Sequence, residues 1–348
     1  MQEITKVCHE FYGDSSLRKP FQSVETLRFE EMLEWVDWYI LESGEFSKLK
    51  VLEVIKCPKL IGGLPKQIPS CVRLEIRECS RLMAQLSNIC GTGTSELVLK
   101  GCDRVELGGR GLSSLIKLEI SYMSNLKELT PKLCTLTNLK EFRVESCPSL
   151  LSFPDTRLPP MLTSLSVWEC EVLVFPRSED MENRSKSLET LSLSCCDALK
   201  PIWLGFFPKL RSLEIHICTN FKSITDLNML RLQNLTSLES LFLNGFSNLI
   251  YFPQGGLLGL NLIDFRIWRC EKLKLLPEGM HTLFPYLQSL ELYGCLEIES
   301  FPESGLPSSL HSLEIQNCNK LTTHQKEWDL QRLHSFRQFT LAGNHDEE

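Results

Sequence analysis

One pattern recurs fourteen times in the chain: Leu-x-x-Leu-x-(Ile/Leu)-x-x-Cys-x-x-Leu. Clear copies run through Leu49, Leu52, Val54, Cys57 and Leu60, through Leu162, Leu165, Val167, Cys170 and Leu173, and through Leu310, Leu313, Ile315, Cys318 and Leu321. The second apolar position marks the register. It falls at Leu27, Leu52, Leu74, Leu97, Leu118, Phe142, Leu165, Leu191, Leu213, Leu241, Phe265, Leu290, Leu313 and Phe339, and the thirteen steps across these 312 residues average 24. The Leu-x-(Ile/Leu) segment alternates with period two, so each copy is a short strand with one buried face. A lone strand of that length cannot bury its face. Stacked copies can, as a parallel sheet with a continuous apolar core behind it.

A period of 24 falls inside the roughly 20–29-residue spacing of leucine-rich repeats. The expected fold is an α/β solenoid, a leucine-rich-repeat horseshoe with a parallel β-sheet on its concave face. The second half of many repeats carries proline, at Pro65, Pro154, Pro176, Pro253, Pro277 and Pro302. Proline suits turns and extended segments and not helix interiors. The convex side is therefore expected to be mostly irregular or short-helical, with a short helix in longer repeats such as 226–235. The length would allow two globular domains. The repeat instead predicts a single domain over 1–348 with about 14 repeats, 1–21 being the remnant of a preceding repeat and 336–348 an incomplete last one. Strands are expected at 24–29 and 336–341. Neither end shows a polar cap, and both are expected to fray.

Charge and cysteine usage narrow the function classes. The net charge is −7, and no basic stripe of the kind nucleic-acid binding requires is present. No apolar run reaches the length of a membrane span, and residues 1–14 lack the charged-then-apolar order of a signal peptide. A cytoplasmic location is expected, with the nucleus as the second compartment. Of the fifteen cysteines, ten share one repeat position: Cys57, Cys79, Cys102, Cys147, Cys170, Cys196, Cys218, Cys270, Cys295 and Cys318. Met123, Phe246 and Asn344 hold the same slot elsewhere. A slot shared with Met and Phe is small, buried and apolar, so these cysteines read as reduced structural thiols rather than disulfides or metal ligands. Of the two Asn-x-Ser/Thr sequons, at Asn183 and Asn234, the second is repeat consensus.

No recognisable catalytic or cofactor motif accompanies the repeat. The chain has no phosphate loop, no Gly-x-Ser-x-Gly elbow and no His-Glu-x-x-His pair. Its glycine-rich segments, 91–93 and 108–111, read as turns between repeats. Adjacent Cys195 and Cys196 alternate onto opposite faces, and the seven histidines are scattered. No enzyme activity, cofactor or metal is expected.

Specificity is expected on the concave face, in the outward positions of each strand. The central position reads Arg28, Glu53, Glu75, Val98, Glu119, Arg143, Ser166, Ser192, Glu214, Phe242, Arg266, Glu291, Glu314 and Thr340. The next reads Glu30, Ile55, Arg77, Lys100, Ser121, Glu145, Trp168, Ser194, His216, Asn244, Trp268, Tyr293, Gln316 and Ala342. Aromatics concentrate toward the C-terminal half. The candidate partner-binding residues are Trp168, His216, Phe242, Arg266, Trp268 and Tyr293, because Trp, Tyr and Arg dominate binding hot spots. Two readings stay open: a binding patch, or rings that shield one another or lie under another segment of the chain. The neighbours Glu53/Glu75 and Glu291/Glu314 read as a solvated acidic stripe, able to steer a basic partner.

Several segments carry a family likeness. They are Glu10-Phe11-Tyr12-Gly13, Lys19-Pro20-Phe21, Glu25-Thr26-Leu27-Arg28-Phe29-Glu30 with Met32 and Glu34-Trp35, and Cys57-Pro58-Lys59-Leu60 with Leu64-Pro65. Leu74-Glu75-Ile76-Arg77-Glu78-Cys79 and Glu327-Trp328-x-Leu330-x-x-Leu333 follow. On these, the chain resembles the leucine-rich-repeat region of plant intracellular disease-resistance proteins, in the coiled-coil, nucleotide-binding class and its RPP13-like group. Residues 10–82 carry the most specific part of the likeness. The resemblance implies a protein partner, either a pathogen effector or a host protein it modifies. In a longer homologue it implies a nucleotide-binding domain held off by the repeats. The nucleotide-binding domain and coiled coil are missing from this sequence, so nucleotide binding does not carry over, and a fragment or truncated product is expected. The alternatives are a general scaffold, such as a ligase substrate-recognition arm, and a secreted ectodomain.

Overall fold

The computed structural model describes residues 4–12, 21–39, 46–62, 64–65, 68–85, 93–106, 112–128, 133, 135–152, 158–174, 186–196, 207–216, 232, 235–252, 257, 261–323 and 328–343. It comprises two compact units, Met1–Val172 and Leu173–Glu348. In the first, the strands are β1 (Lys6–Val7), β2 (Thr26–Glu30), β3 (Asp37–Trp38), β4 (Val51–Ile55), β5 (Arg73–Arg77), β6 (Ala84–Gln85), β7 (Glu96–Lys100), β8 (Val105–Glu106), β9 (Lys117–Ser121), β10 (Glu141–Glu145) and β11 (Ser164–Trp168), with the helix α1 (His9–Tyr12). In the second they are β12 (Thr190–Ser194), β13 (Ser212–His216), β14 (Ser240–Asn244), β15 (Asp264–Trp268), β16 (Ser289–Tyr293), β17 (Ser312–Gln316) and β18 (Gln338–Ala342), with α2 (Met280–Leu283) and α3 (Asn319–Thr323). Each unit is a parallel β solenoid of leucine-rich repeats.

The apolar register of the sequence is the register of the sheet. In the first unit Leu27, Leu52, Leu74, Leu97, Leu118, Phe142 and Leu165 stand opposite one another from strand to strand. Leu191, Leu213, Leu241, Phe265, Leu290, Leu313 and Phe339 do so in the second. Four apolar positions per repeat close the core, for example Leu49, Leu52, Val54 and Leu60, all fully buried. Burying one such leucine stabilises by roughly 1.5–3 kcal/mol, so the repeated motif is the main store of stability. The last of the four returns to the core through a single turn, as when Leu60 N–H donates to the Cys57 carbonyl at 3.2 Å and Leu150 N–H to that of Cys147 at 3.2 Å.

A backbone reversal ends each strand. The residue after it adopts positive φ at Lys56, Glu78, Gly101, Tyr122 and Ser146 in the first unit and at Cys195, Gly245, Arg269, Gly294 and Asn317 in the second. That turn aims the residue's N–H at the last carbonyl of the next strand: Glu78 to Lys100 at 2.7 Å, Arg269 to Tyr293 at 2.6 Å, Gly294 to Gln316 at 2.9 Å. The ladder gains one bond, and the chain turns inward to the cysteine slot.

The cysteines of that slot are buried free thiols at Cys57, Cys79, Cys102, Cys147, Cys170, Cys196, Cys270, Cys295 and Cys318; Cys218 lies outside the described residues. Their sulfurs finish the strand end. Sγ–H donates to the carbonyl two residues back, at 3.1 Å from Cys102 to Lys100, 3.3 Å from Cys170 to Trp168 and 3.1 Å from Cys196 to Ser194. Where Met123 replaces cysteine, its sulfur accepts the Cys102 N–H at 3.2 Å. Bonding to the neighbouring Cys270 thiol, with burial adding to it, pushes Cys295 up to about 12, so it stays a neutral thiol at physiological pH.

The side away from the main strands is more regular than the prolines imply. Besides α1, α2, α3 and a single 3₁₀ turn at Leu330–Arg332, it carries short parallel pairings: β1 with β3, β6 with β8, and single bridges Asp37–Gly62, Glu128–Ser152 and Leu275–Ser300. Pairs this short leave no periodic trace in a sequence. Most of 226–235 lies outside the described residues. The first and last main strands begin two residues later than their expected starts, at Thr26 and Gln338.

The two terminal strands differ in how their core side is covered. Next to β2, the rings of Phe11, Trp35 and Trp38 pack on Phe29, those of Tyr12, Phe21 and Phe46 pack on them and on one another, and buried Trp38 Nε1–H donates to Tyr12 Oη at 2.9 Å. These aromatic residues bury the core side of β2, with Trp35 and Trp38 almost fully enclosed. β1 takes up the same position beside β3 that β3 takes beside Gly62. On β18 the core-side Phe339 and Leu341 remain 43% and 40% exposed.

Candidate recognition surface

Five of the six candidate residues come together in the second unit. Parallel pairing in register sets Glu214 beside Phe242, Phe242 beside Arg266 and Arg266 beside Glu291 in one file. His216, Asn244, Trp268 and Tyr293 form the next file. Residues two apart on a strand share a face, so rings from the two files meet on the diagonal. His216 and Phe242 meet edge-on with centroids 4.8 Å apart and Phe242 and Trp268 edge-on at 4.9 Å, while Trp268 and Tyr293, opposite each other within the second file, are tilted at 5.5 Å. The Arg266 guanidinium lies 4.9 Å from the Phe242 ring centre, and its Nε–H donates to Asp264 Oδ2 at 2.9 Å.

Phe242 is only 5% exposed. His216, Trp268 and Arg266 cover the ring, so at this position the rings shield one another. Trp268 and Tyr293 are half-buried and keep part of their surface. Trp268 Nε1–H donates to Glu291 Oε1 at 2.9 Å, which fixes the indole's orientation. His216 Nδ1 lies 3.3 Å from Asn244 Nδ2, and its Nε2 lies 3.9 Å from Glu214 Oε2. The sixth candidate, Trp168, belongs to the first unit, where the Arg143 guanidinium lies 4.5 Å from its ring centre and also binds Glu145 at 2.7 Å. Among the described residues there is no group of His, Cys, Asp and Glu able to hold a metal ion, and no helix long and apolar enough to cross a membrane.

No family model matches the chain. A disease resistance protein of Arabidopsis thaliana is 34% identical over 335 residues, covering 89% of this chain and 23% of that protein. The disease resistance protein RPP5 of the same plant is 32% identical over 351 residues, covering 86% and 22%. The disease resistance RPP13-like protein 1, also from Arabidopsis thaliana, is 26% identical over 190 residues, covering 49% and 17%. The chain is similar to plant disease-resistance proteins over most of its length. It spans about a fifth of the length of these curated relatives. A leucine-rich-repeat protein of Leptospira interrogans, solved as a structure, aligns over 94% of this chain and 90% of its own at 16% identity, with a TM-score of 0.34.

The glutamates of the outward face are not one uniform solvated stripe. Glu53 and Glu75 stand opposite each other, but each is paired: Arg28 Nη1 reaches Glu53 at 3.1 Å, and Arg73 Nη2 reaches Glu75 at 2.6 Å with Arg77 on its other oxygen. Glu75 is 4% exposed, so the reading of a solvated glutamate is corrected there. Glu291 and Glu314 also stand opposite each other. Glu291 accepts from Trp268, and Glu314 accepts from Gln316 Nε2. Among the described residues neither has a lysine or arginine within ion-pair distance. Partial burial, then the neighbouring Glu314 charge, push the Glu291 carboxyl above its ordinary value. The neighbouring His216 imidazole leads the forces that hold Glu214 below its own.

The outward positions of the repeat single out neither Asp264 nor the roles of Asn244 and the Trp268–Glu291 bond. Asp264 was within reach, since it sits two residues before Arg266 on the same strand face. The Trp268–Glu291 bond was not. It depends on the rotamers of two side chains from strands 23 residues apart.

Proposed function

We propose that the chain is a protein-recognition module of plant innate immunity, which senses a pathogen effector or a host protein that such an effector alters. The observation that carries this reading is the 34% identity to a disease resistance protein across 89% of the chain. The surface chemistry supports it. Trp268 and Tyr293 retain accessible ring surface next to Arg266 on a rigid strand scaffold, and such residues carry most of the energy where proteins meet. In a longer homologue the same repeats restrain a nucleotide-binding domain until the partner arrives. The module works in the cytoplasm.

The test separates recognition from packing. Trp268→Ala and Tyr293→Ala are combined, and co-purification of proteins from infected plant tissue is measured beside the thermal melt. Loss of a captured partner with a melt shifted by only a few degrees supports recognition. A lowered melt with unchanged capture reduces the cluster to core packing.

A further inference from the structure

The face formed by β15, β16 and β17 carries more negative charge than its own residues pair. Glu291 and Glu314 lie side by side in register on strands about 4.8 Å apart. The equivalent neighbours Glu53 and Glu75 are answered by Arg28, Arg73 and Arg77. The one arginine in the central file near Glu291, Arg266, stands opposite it and attracts its charge, but its guanidinium is paired with Asp264 and covers Phe242. Each carboxylate of the pair has an intramolecular donor, from Trp268 on Glu291 and from Gln316 on Glu314, and both donors are neutral. Beside the pair, Trp268 and Tyr293 form a tilted aromatic wall with centroids 5.5 Å apart.

We propose that this sheet face docks a protein segment through an arginine whose guanidinium spans the Glu291 and Glu314 carboxylates while an adjoining apolar residue rests on Trp268 and Tyr293. The proposal rests on the reading of this face as a recognition surface and specifies the partner's chemistry. Charge complementarity selects a cation and rejects a phosphate-bearing partner. Geometry selects arginine over lysine: a planar fork of donors reaches two carboxylates at once and stacks on aromatic faces, whereas an ammonium is a compact point charge.

The blocked peptide Ala-Arg-Phe-Ala, titrated to millimolar concentration into the full chain with calorimetric detection, tests this against the same peptide carrying citrulline in place of arginine. The arginine peptide is expected to bind about tenfold more tightly, the worth of roughly one charged hydrogen bond. The Glu291→Gln/Glu314→Gln double variant is expected to abolish that preference without lowering the melt, since glutamine still accepts from Trp268. Trp268→Ala is expected to weaken both peptides. No binding of the arginine peptide, equal affinities, or a preference that survives in the double glutamine variant overturns the proposal. If partner capture still depends on Trp268 and Tyr293 while arginine and citrulline bind alike, the recognition surface stands and the arginine assignment falls.

Discussion

At the scale of single residues, the costly position is the one directly after each main strand. An L-residue in the left-handed region costs roughly 1–2 kcal/mol, and glycine there avoids that at the expense of roughly 0.5–1 kcal/mol of chain entropy. Lys56, Glu78, Tyr122, Ser146 and Arg269 all bear the cost, because the inward turn and the extra ladder bond require the conformation whatever the side chain. Two substitutions probe this. Gly294→Ala is expected to destabilise by about 1 kcal/mol. Its new Cβ would approach nothing closer than Arg269 Cγ at 3.6 Å, so the loss is conformational and not steric. Glu78→Gly is expected to stabilise by about 0.5 kcal/mol, the difference between the two costs. Denaturant midpoints of the two variants against the parent chain measure both, and a stabilised Gly294→Ala would contradict the argument. The sequence shows this position only where it is Gly101, Gly245, Gly294 or Asn317. Elsewhere the tertiary ladder imposes it on residues with no preference for it.

At the scale of elements, the outward files show how parallel pairing converts alternation into chemistry. The sequence places Phe242, Arg266, Trp268 and Tyr293 on one face. Only the register and rotamers decide that Phe242 becomes a covered platform, that Arg266 turns to Asp264, and that Trp268 ties itself to Glu291. The Glu291 carboxyl binds its proton more tightly folded than unfolded. Such a group favours the folded state at acid pH, and that contribution is lost as pH rises through its raised folded value. Glu291→Gln removes the burden while keeping the acceptor for the indole. It is therefore expected to raise the melting temperature at neutral pH, by an amount that shrinks once the medium is more acid than the ordinary carboxylate range. Thermal melts at both pH extremes check it, and a gain independent of pH would contradict it.

At the scale of each unit, stability is a sum over neighbours, since a repeat touches chiefly the repeats on either side. Leu290 is a buried core residue of β16, flanked by Phe265 and Leu313. Leu290→Ala is expected to cost about 3 kcal/mol through lost burial and the cavity left behind. Hydrogen exchange is expected to accelerate in β15, β16 and β17 while β12 and β13 keep their protection; uniform loss across all strands would show a single cooperative core instead. The sequence by itself determined the period, the fourteen register positions, the buried cysteine slot and the face on which recognition is sought, because all of these follow from one-dimensional alternation and repetition. The left-handed turns, the short second pairings, the aromatic cover near β2, and which charges on the face are answered and which are not were decided only by the tertiary structure. Many of these join residues about one repeat apart, as Glu78 N–H to the Lys100 carbonyl and Trp268 to Glu291 do, and such bonds exist only once the repeats are stacked; the shorter-range ones, such as Phe29 on Trp35, depend on rotamers that alternation does not specify.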